Sequence, residues 1–161
     1  MHVVFLTRKF PPQAGGMETF SWHITQQWRD DHTVIARGKR QRDILWVAPV
    51  LLYHAWRLRH TADIYHLGDG VLVPLAPCIR LFTKKPIIAT IHGLELTYAK
   101  AGWWYHKLLN WGCGSVTHFV CVSAFTASLL KKRDISPDRI SVIPHGVTPA
   151  PQLHRASAQQ Q

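Results

Sequence analysis

Two short stretches of the sequence carry residues that could bind a polar ligand or move a proton. In the first, FPPQAGGMETF, Gly15 and Gly16 come directly before a helix-like run. In the second, ATIHGLEL, His92 and Gly93 are followed by Glu95. Bare N–H groups at the start of a helix bind phosphates, and an imidazole near a carboxylate can exchange hydrogen bonds with a hydroxyl. The two stretches therefore indicate an anion site and a hydrogen-bonding site.

Each stretch also has a purely structural interpretation. Tight turns use glycine for its freedom at positive φ, whatever lies beside them. His92 could simply end a strand, and Glu95 could begin a solvated loop. Neither the P-loop pattern nor the spaced-glycine dinucleotide fingerprint is present. Taken alone, the glycines indicate a turn and a ligand site equally well.

The elements that must position these residues alternate along the chain. Near-continuous apolar runs typical of strands covered on both faces alternate with helical patterns, which predicts an α/β fold with a parallel sheet. The predicted strands are Val3–Thr7, Thr33–Arg37, Asp63–Leu67, Ile87–Ile91, Phe119–Val122 and Ile140–Ile143, with a weak one at Ile44–Val47. The predicted helices are Met17–Trp28, Pro49–Arg59, Val71–Phe82, Trp103–Trp111 and Ala124–Lys132. Ser123 is the expected N-cap of the last helix. Ligands of such sheets bind beyond the carboxyl ends of the strands, where both stretches fall.

Composition indicates one folded domain that favours anionic partners. The chain has 161 residues, 47% hydrophobic and 17% charged, which suffices for a single core. Its 19 Lys and Arg outnumber 9 Asp and Glu, which favours phosphates or an anionic membrane surface. The basic residues are scattered rather than arranged along one reading element, which argues against nucleic acid. We expect a domain over residues 1–148, with 149–161 as a disordered tail or the start of an interdomain linker.

The chain has the features of a cytoplasmic protein. Its three cysteines, Cys78, Cys113 and Cys121, are odd in number and lack metal-ligand spacing. The apolar run from Ile44 to Trp56 is shorter than the roughly 20 residues that span a bilayer. The sequence shows no cluster of Asp or His that would indicate a metal site.

The stretch GWWYHKLLNW holds more aromatic side chains than one helix normally buries. Trp103, Trp104 and Trp111 lie near Lys107. Tryptophan with lysine is typical of a surface at a membrane interface. It also suits a helix packed in the core or against a neighbouring domain. Packing is the preferred interpretation, and contact with an anionic membrane is the alternative.

The order of the motifs resembles that of a known enzyme family. Along the chain come FPPQAGGME, DIYHLGD, TIHGLE, VCVSAFTASLL and ISVIPHGV. This order is similar to the N-terminal half of the family-4 glycosyltransferases, retaining enzymes of the two-domain GT-B architecture. The resemblance extends from about Val3 to Val147. It implies a single Rossmann-like domain, with a parallel sheet flanked by helices, that forms the N-terminal half of a GT-B fold.

The resemblance also implies roles for individual residues. Gly15 and Gly16 match loop glycines whose backbone faces the diphosphate of the nucleotide-sugar donor. His92 matches the histidine beside the transferred sugar, and it is the predicted catalytic residue, orienting donor and acceptor without a covalent step.

Other matched positions belong to the cleft and its hinge. Glu18, Gly93 and Glu95 match positions of the sugar and acceptor cleft, with Glu18 inferred to support the loop. His145 and Gly146 match the hinge where the domain ends, although the family usually has asparagine at the position of His145.

The implied reaction is transfer of a sugar from a nucleotide-sugar to an acceptor hydroxyl, with retained configuration and no metal or other cofactor. The basic and aromatic surface favours a lipid-linked or cell-envelope acceptor, and hence a peripheral location at the inner face of the membrane. The family's donor-binding domain carries paired glutamates, but no glutamate follows Glu95. We therefore expect an acceptor-side domain, inactive alone and completed by a C-terminal GT-B domain in a longer protein or a partner chain. The alternative is a non-catalytic interaction or membrane-docking domain that retains the half-fold.

Overall fold

One parallel sheet organises the chain. The computed structural model describes residues 1–37, 44–97 and 102–146. Within these ranges six strands form a sheet in the order β2-β1-β3-β4-β5-β6, and every neighbouring pair is parallel. The strands are β1 (Val3–Thr7), β2 (His32–Ala36), β3 (Ile64–Leu67), β4 (Ile87–Ile91), β5 (His118–Cys121) and β6 (Ile140–Val142). The predicted α/β fold with a parallel sheet flanked by helices is confirmed.

Helices connect the strands. They are α1 (Gly16–Gln27), α2 (Ile44–Arg57), α3 (Ala76–Arg80), α4 (Leu94–Thr97), α5 (Gly102–Cys113) and α6 (Ala124–Lys131). A 3-10 helix, Gly70–Leu75, runs directly into α3, and a shorter one, Pro137–Arg139, precedes β6. The chain from β3 to β4 therefore forms two short helices where the sequence predicted one.

The weak strand predicted at Ile44–Val47 is wrong, because these residues form the start of α2. Val47, Leu51 and Ala55 recur every four residues and are buried, which places them along one side of a helix. Pro49 lies inside this helix, not at its first turn as predicted, and is exposed.

The two faces of the sheet are covered unequally. On one face, Val4, Leu6 and Tyr65 belong to the main core with apolar side chains of α2, α3, α5 and α6. The Tyr65 hydroxyl donates to the carbonyl oxygen of Ala55 on α2 at 2.9 Å. On the opposite face, α1 is the one helix packed beside the strands within the described ranges. Each further crossover towards β6 returns over the first face, so the second stays largely uncovered.

An open groove runs along α1 on this second face, and we call it the α1 groove. It has a volume of about 790 Å³. Strand residues such as Phe5, Ile88 and Val120 form its floor, Ile24 of α1 forms one side, and Ile143 lies at its end. Parallel sheets are usually covered on both faces, so this apolar floor is an unusual feature.

Helix α5 is apolar on both its inner and its outer side. Leu109 and Cys113 are buried against the core. Trp103, Trp104 and Trp111 are each more than half exposed. Packing of these three side chains in the core is therefore wrong, because the side of α5 nearest the sheet is filled by smaller residues. The other half of the preferred interpretation, packing against a neighbouring domain, stays a prediction. The proposed tail 149–161, and the domain boundary at 148, lie outside the described residues.

Candidate active site

Three motifs that are distant in sequence meet at the carboxyl edge of the sheet. The ring centroid of Phe20, on α1, lies 5.4 Å from that of His92 and 4.2 Å from that of His145. The two imidazole rings are 5.3 Å apart. Phe20 stacks on His145 with only 19° between the ring planes. The ring cluster of Phe20, His92 and His145 thus joins the glycine loop, the end of β4 and the segment after β6.

His92 is held both through its backbone N–H and through its ring. Its backbone N–H donates to Glu95 Oε1 at 2.8 Å, and its Nε2 lies 3.3 Å from the carbonyl oxygen of Gly68. A carbonyl oxygen only accepts, so this contact requires the proton on Nε2. In the neutral ring, Nδ1 is then the nitrogen that can accept a hydrogen bond.

Gly93 provides a backbone conformation that other residues rarely adopt. Its φ is +108°, in the left-handed region. A Cβ at this position would lie 3.0 Å from Thr126 Oγ1. The backbone N–H of Thr126 in turn donates to Ser123 Oγ at 3.1 Å, which confirms the predicted capping role of Ser123. Gly93 thus lets the loop after β4 pack closely on the start of α6.

Glu95 lies beneath the loops and not in solvent. The residue is only 6% exposed, and its Oε1 accepts the backbone N–H groups of His92 at 2.8 Å and Gly70 at 3.2 Å. A Cβ on Gly70 would lie 2.3 Å from Glu95 Cγ, so a glycine is needed there. The alternative that Glu95 begins a solvated loop is wrong, because its carboxylate is the acceptor for two otherwise unpaired N–H groups.

Glu18 supports the glycine loop in a similar way. It is buried, and its Oε1 pairs with Lys9 Nζ at 3.1 Å. A Cβ on Gly15 would lie 2.3 Å from Glu18 Oε2, so the carboxylate lies directly against the glycine backbone. A Cβ on Gly16, the first residue of α1, would meet no heavy atom of the described residues within 4 Å. Gly16 therefore presents its backbone in open space at the start of the helix.

A buried ion pair beside these loops was missed by the sequence reasoning. Arg8 Nε lies 3.3 Å from Asp69 Oδ2, and both side chains are almost fully buried. The other carboxylate oxygen, Oδ1, accepts the backbone N–H of Val71 at 2.9 Å. Arg8 follows β1 and Asp69 follows β3, which are neighbouring strands. The adjacency of these two strands could have predicted the ion pair, but the strand order is known only from the structure.

Two further histidines lie near His92. His66, on β3, is buried in the floor of the α1 groove with Nε2 2.9 Å from Thr90 Oγ1. Burial, and then the charge of His92, lower the pKa of His66 to about 4. Burial, and then His92, also lower the pKa of His145. Both imidazoles are therefore neutral at physiological pH.

The described ranges hold neither a group of metal ligands nor a membrane-spanning helix. No three His, Cys, Asp or Glu side chains come close enough there to hold a metal ion. No helix of residues 1–37, 44–97 or 102–146 is both long and apolar enough to cross a bilayer.

The fold and the edge site together define a class of protein. A six-stranded parallel sheet with a glycine loop before α1 and a histidine after β4 resembles the N-terminal part of a GT-B glycosyltransferase. A family model for Glycosyltransferase Family 4 matches residues 2–150, and the chain belongs to that family. The resemblance drawn from the motifs is confirmed.

Solved structures share the fold. Anabaena Alr3699/HepE, crystallised with UDP-glucose, superposes with a TM-score of 0.71 at 12% identity, covering 91% of this chain and 44% of that chain. The apo form of the lipopolysaccharide outer core galactosyltransferase WaaB superposes with a TM-score of 0.66 at 16% identity. The match covers 96% of this chain and 50% of that chain. At these identities the likeness concerns the fold alone.

A curated relative covers most of this chain but a minor part of its own length. It is the phosphatidylinositol N-acetylglucosaminyltransferase GPI3 subunit of Saccharomyces cerevisiae, which is 24% identical over 185 residues. The match covers 91% of this chain and 39% of the relative. The chain thus spans well under half the length of the curated relatives it matches.

Proposed function

We propose that this chain is the acceptor-side domain of a retaining glycosyltransferase, which moves a sugar from a nucleotide-sugar to a hydroxyl of a lipid-linked or cell-envelope acceptor. The observation that carries the proposal is the convergence of Gly16, Phe20, His92 and His145 at the carboxyl edge of the sheet. That edge is where open parallel sheets bind ligands. The name of the GPI3 subunit contains phosphatidylinositol and that of WaaB contains lipopolysaccharide, which supports a lipid-linked or cell-envelope acceptor. HepE was crystallised with UDP-glucose, which supports a nucleotide-sugar donor.

His92 is the proposed catalytic residue, acting by contact with the transferred sugar. Because the Gly68 carbonyl engages Nε2, the neutral ring offers Nδ1 as an acceptor for a sugar or acceptor hydroxyl. The stacked pair of Phe20 and His145 limits how far the His92 ring can swing. His92 thereby orients the reactants and forms no covalent bond.

Gly15 and Gly16 are the proposed contacts of the donor diphosphate. The first N–H groups of a helix have no partner within the helix, and the helix dipole favours an anion beside them. Negative charge grows on the departing diphosphate in the transition state, so fixed N–H donors there lower the barrier. Glu18, Gly93 and Glu95 shape the cleft by supporting the loops that carry these groups. The proposed reaction uses no resident metal or cofactor, since protein donors and cations take up the charge.

A C-terminal GT-B domain is proposed to form the opposite wall of the cleft, either in a longer protein or as a partner chain. The match to only 44% and 50% of the two solved chains supports this proposal. So does the α1 groove, which leaves one face of the sheet uncovered. His145 and Gly146 would then lie at the hinge, and the chain alone would be inactive. The proposed location is the cytoplasm, peripheral at the inner face of the membrane.

Reconstituted sugar transfer tests this proposal. The chain is assayed with a panel of nucleotide-sugars and lipid-linked acceptors, alone and with a separately expressed C-terminal domain of a family-4 enzyme. We expect turnover only in the combination. His92→Ala should reduce it by about 100-fold, the scale of a lost positioning or proton-transfer group, whereas exposed His60→Ala should not change it.

Two outcomes would contradict the proposal in different ways. Turnover by the chain alone would show that its donor site is complete. No turnover in any combination, with no effect of the chain on UDP-glucose binding by the C-terminal domain, would favour the second candidate, a non-catalytic interaction or membrane-docking domain. The exposed tryptophans of α5 are the observation that favours that candidate.

A further inference from the structure

We infer that the outer surface of helices α2 and α5 docks on an anionic lipid bilayer. We call this surface the aromatic face. It comprises Trp46, Tyr53, Trp56, Trp103, Trp104 and Trp111. Both helices pack against the 3-10 helix Gly70–Leu75 and against α3, so they lie on the same side of the sheet. Their outer sides therefore point away from the sheet together.

The aromatic face is exposed to an extent that a soluble domain rarely tolerates. Trp46 is 81% exposed and Trp104 is 73% exposed. On α5, Trp104, Leu108 and Trp111 follow each other by four and three residues, which forms one continuous stripe along the helix. Isolated exposed apolar residues are ordinary, but contiguous patches mark interaction surfaces.

Two cationic side chains lie over tryptophan rings of the aromatic face. Lys107 Nζ lies 3.7 Å from the centre of the Trp103 ring, and the Arg59 guanidinium lies 4.4 Å from that of Trp56. Long cationic side chains on such a surface place their charge beside lipid phosphates while their stems cover apolar area. Tryptophan rings prefer the same interfacial depth.

The charge of the surface distinguishes a bilayer from other occupants. The ranges 44–57, 70–80 and 102–113 contain no Asp or Glu. A second copy docked through the same face would bring like charges together, which opposes self-association. A membrane with anionic lipids instead attracts each cation that approaches it. An apolar face with uncompensated positive charge therefore fits an anionic bilayer best.

Vesicle flotation of the full chain tests the inference. Binding to phosphatidylcholine vesicles is compared with binding to vesicles that also contain about 30 mol% phosphatidylglycerol, which supply the negative surface potential. We expect clear preference for the anionic vesicles, weakening as salt screens the attraction. Trp104→Ser with Trp111→Ser should weaken binding by at least about tenfold, from the apolar area removed. Lys107→Gln should weaken it about fivefold.

Matched controls lie on the other side of the sheet. Trp22→Ser on α1 removes a partly exposed tryptophan, and Arg29→Gln removes one exposed cation with the same change of net charge. Both should bind like the unmodified chain. Circular dichroism verifies that every variant is folded.

Two results would overturn the inference. The first is equal binding by the aromatic-face variants and the controls. The second is a chain that ignores vesicles but sediments as an oligomer that the double tryptophan variant dissolves, because a second copy would then cover the face. The inference extends the proposed lipid-linked acceptor but does not rest on it, since vesicle binding is measured without sugar transfer and the two can fail separately.

Discussion

Glu95 Oε1 accepts the backbone N–H of His92 at 2.8 Å, and the same oxygen accepts that of Gly70 at 3.2 Å. One buried carboxylate thus ties together the loops that follow β3 and β4. This hydrogen bond fixes the backbone from which the His92 ring projects, and the Gly68 carbonyl oxygen, 3.3 Å from Nε2, holds the ring itself. Glu95 is therefore a positioning residue for the proposed catalytic histidine.

Removing this carboxylate should destabilise the fold measurably. Glu95→Ala leaves two N–H groups without their acceptor, so the free energy of unfolding should fall by about 2 to 4 kcal/mol. Glu95→Gln keeps a carbonyl oxygen and should lower it by only about 1 kcal/mol. Urea denaturation measures both. Leu94→Ala, on a neighbouring side chain that is 72% exposed, is the control and should change little. Equal losses for Ala and Gln would show that the oxygen is not the essential feature.

The two glycine stretches should respond differently to the addition of a methyl group. Gly93→Ala forces a Cβ onto a left-handed residue and towards Thr126 Oγ1, so we expect a loss of about 1 to 3 kcal/mol. Gly16→Ala meets open space at a helix start and should leave the free energy of unfolding unchanged or raise it slightly, by up to about 1 kcal/mol. Thermal and urea unfolding of both variants measure the contrast. A destabilised Gly16→Ala variant would contradict the open environment described for that residue.

The stability of the chain should decrease in mildly acidic solution. His66 titrates near pH 6.5 when unfolded but has a pKa of about 4 when folded, because it is buried and faces His92. The unfolded state binds the proton first, so the free energy of unfolding falls as pH drops from about 6.5 to 4, by at most ~1.4 kcal/mol per pH unit.

Replacing the histidine isolates its contribution. His66→Gln should flatten the dependence of the free energy of unfolding on pH within this window, whereas exposed His60→Gln should keep it. The pKa of His145 is also lowered on folding, so its protonation reduces stability as pH falls. Some dependence of the free energy of unfolding on pH should therefore remain in His66→Gln. An unchanged slope in His66→Gln would mean that this imidazole is not buried neutral in the folded state.

The three cysteines should differ in reactivity. Burial raises the pKa of Cys113 and of Cys121 to about 11 in each case, with Glu95 adding to the effect at Cys121. Cys78 is only half-buried. Since the thiolate is the reactive species, an aromatic disulfide reagent at about pH 8 should label one thiol quickly and the other two only after denaturation. Rapid labelling of all three in a folded sample would contradict this packing.

Much of the fold was accessible from the sequence because near-continuous apolar runs and the motifs between them are local features. The bounds of β1 and β4 agree with the prediction at both ends. The strand pattern also predicted that Gly15, Gly16 and His92 would share one edge, since all follow parallel strands. Local pattern failed at Ile44–Val47, where an apolar run that suits a strand folds as helix.

The sequence by itself determined the alternation of elements, the parallel sheet and the residues at its carboxyl edge. The tertiary structure alone decided which of those residues face inward. The sequence allowed Glu95 to begin a solvated loop and gave no sign of the Arg8–Asp69 pair, yet both carboxylates are buried because backbone N–H groups and Arg8 from other segments surround them. Trp104 suited packing in the core or against a neighbouring domain, and it lies outside this domain's core because the space beside the sheet is already filled. Burial depends on which distant segments arrive at the same place, and that information is not carried by any local stretch of sequence.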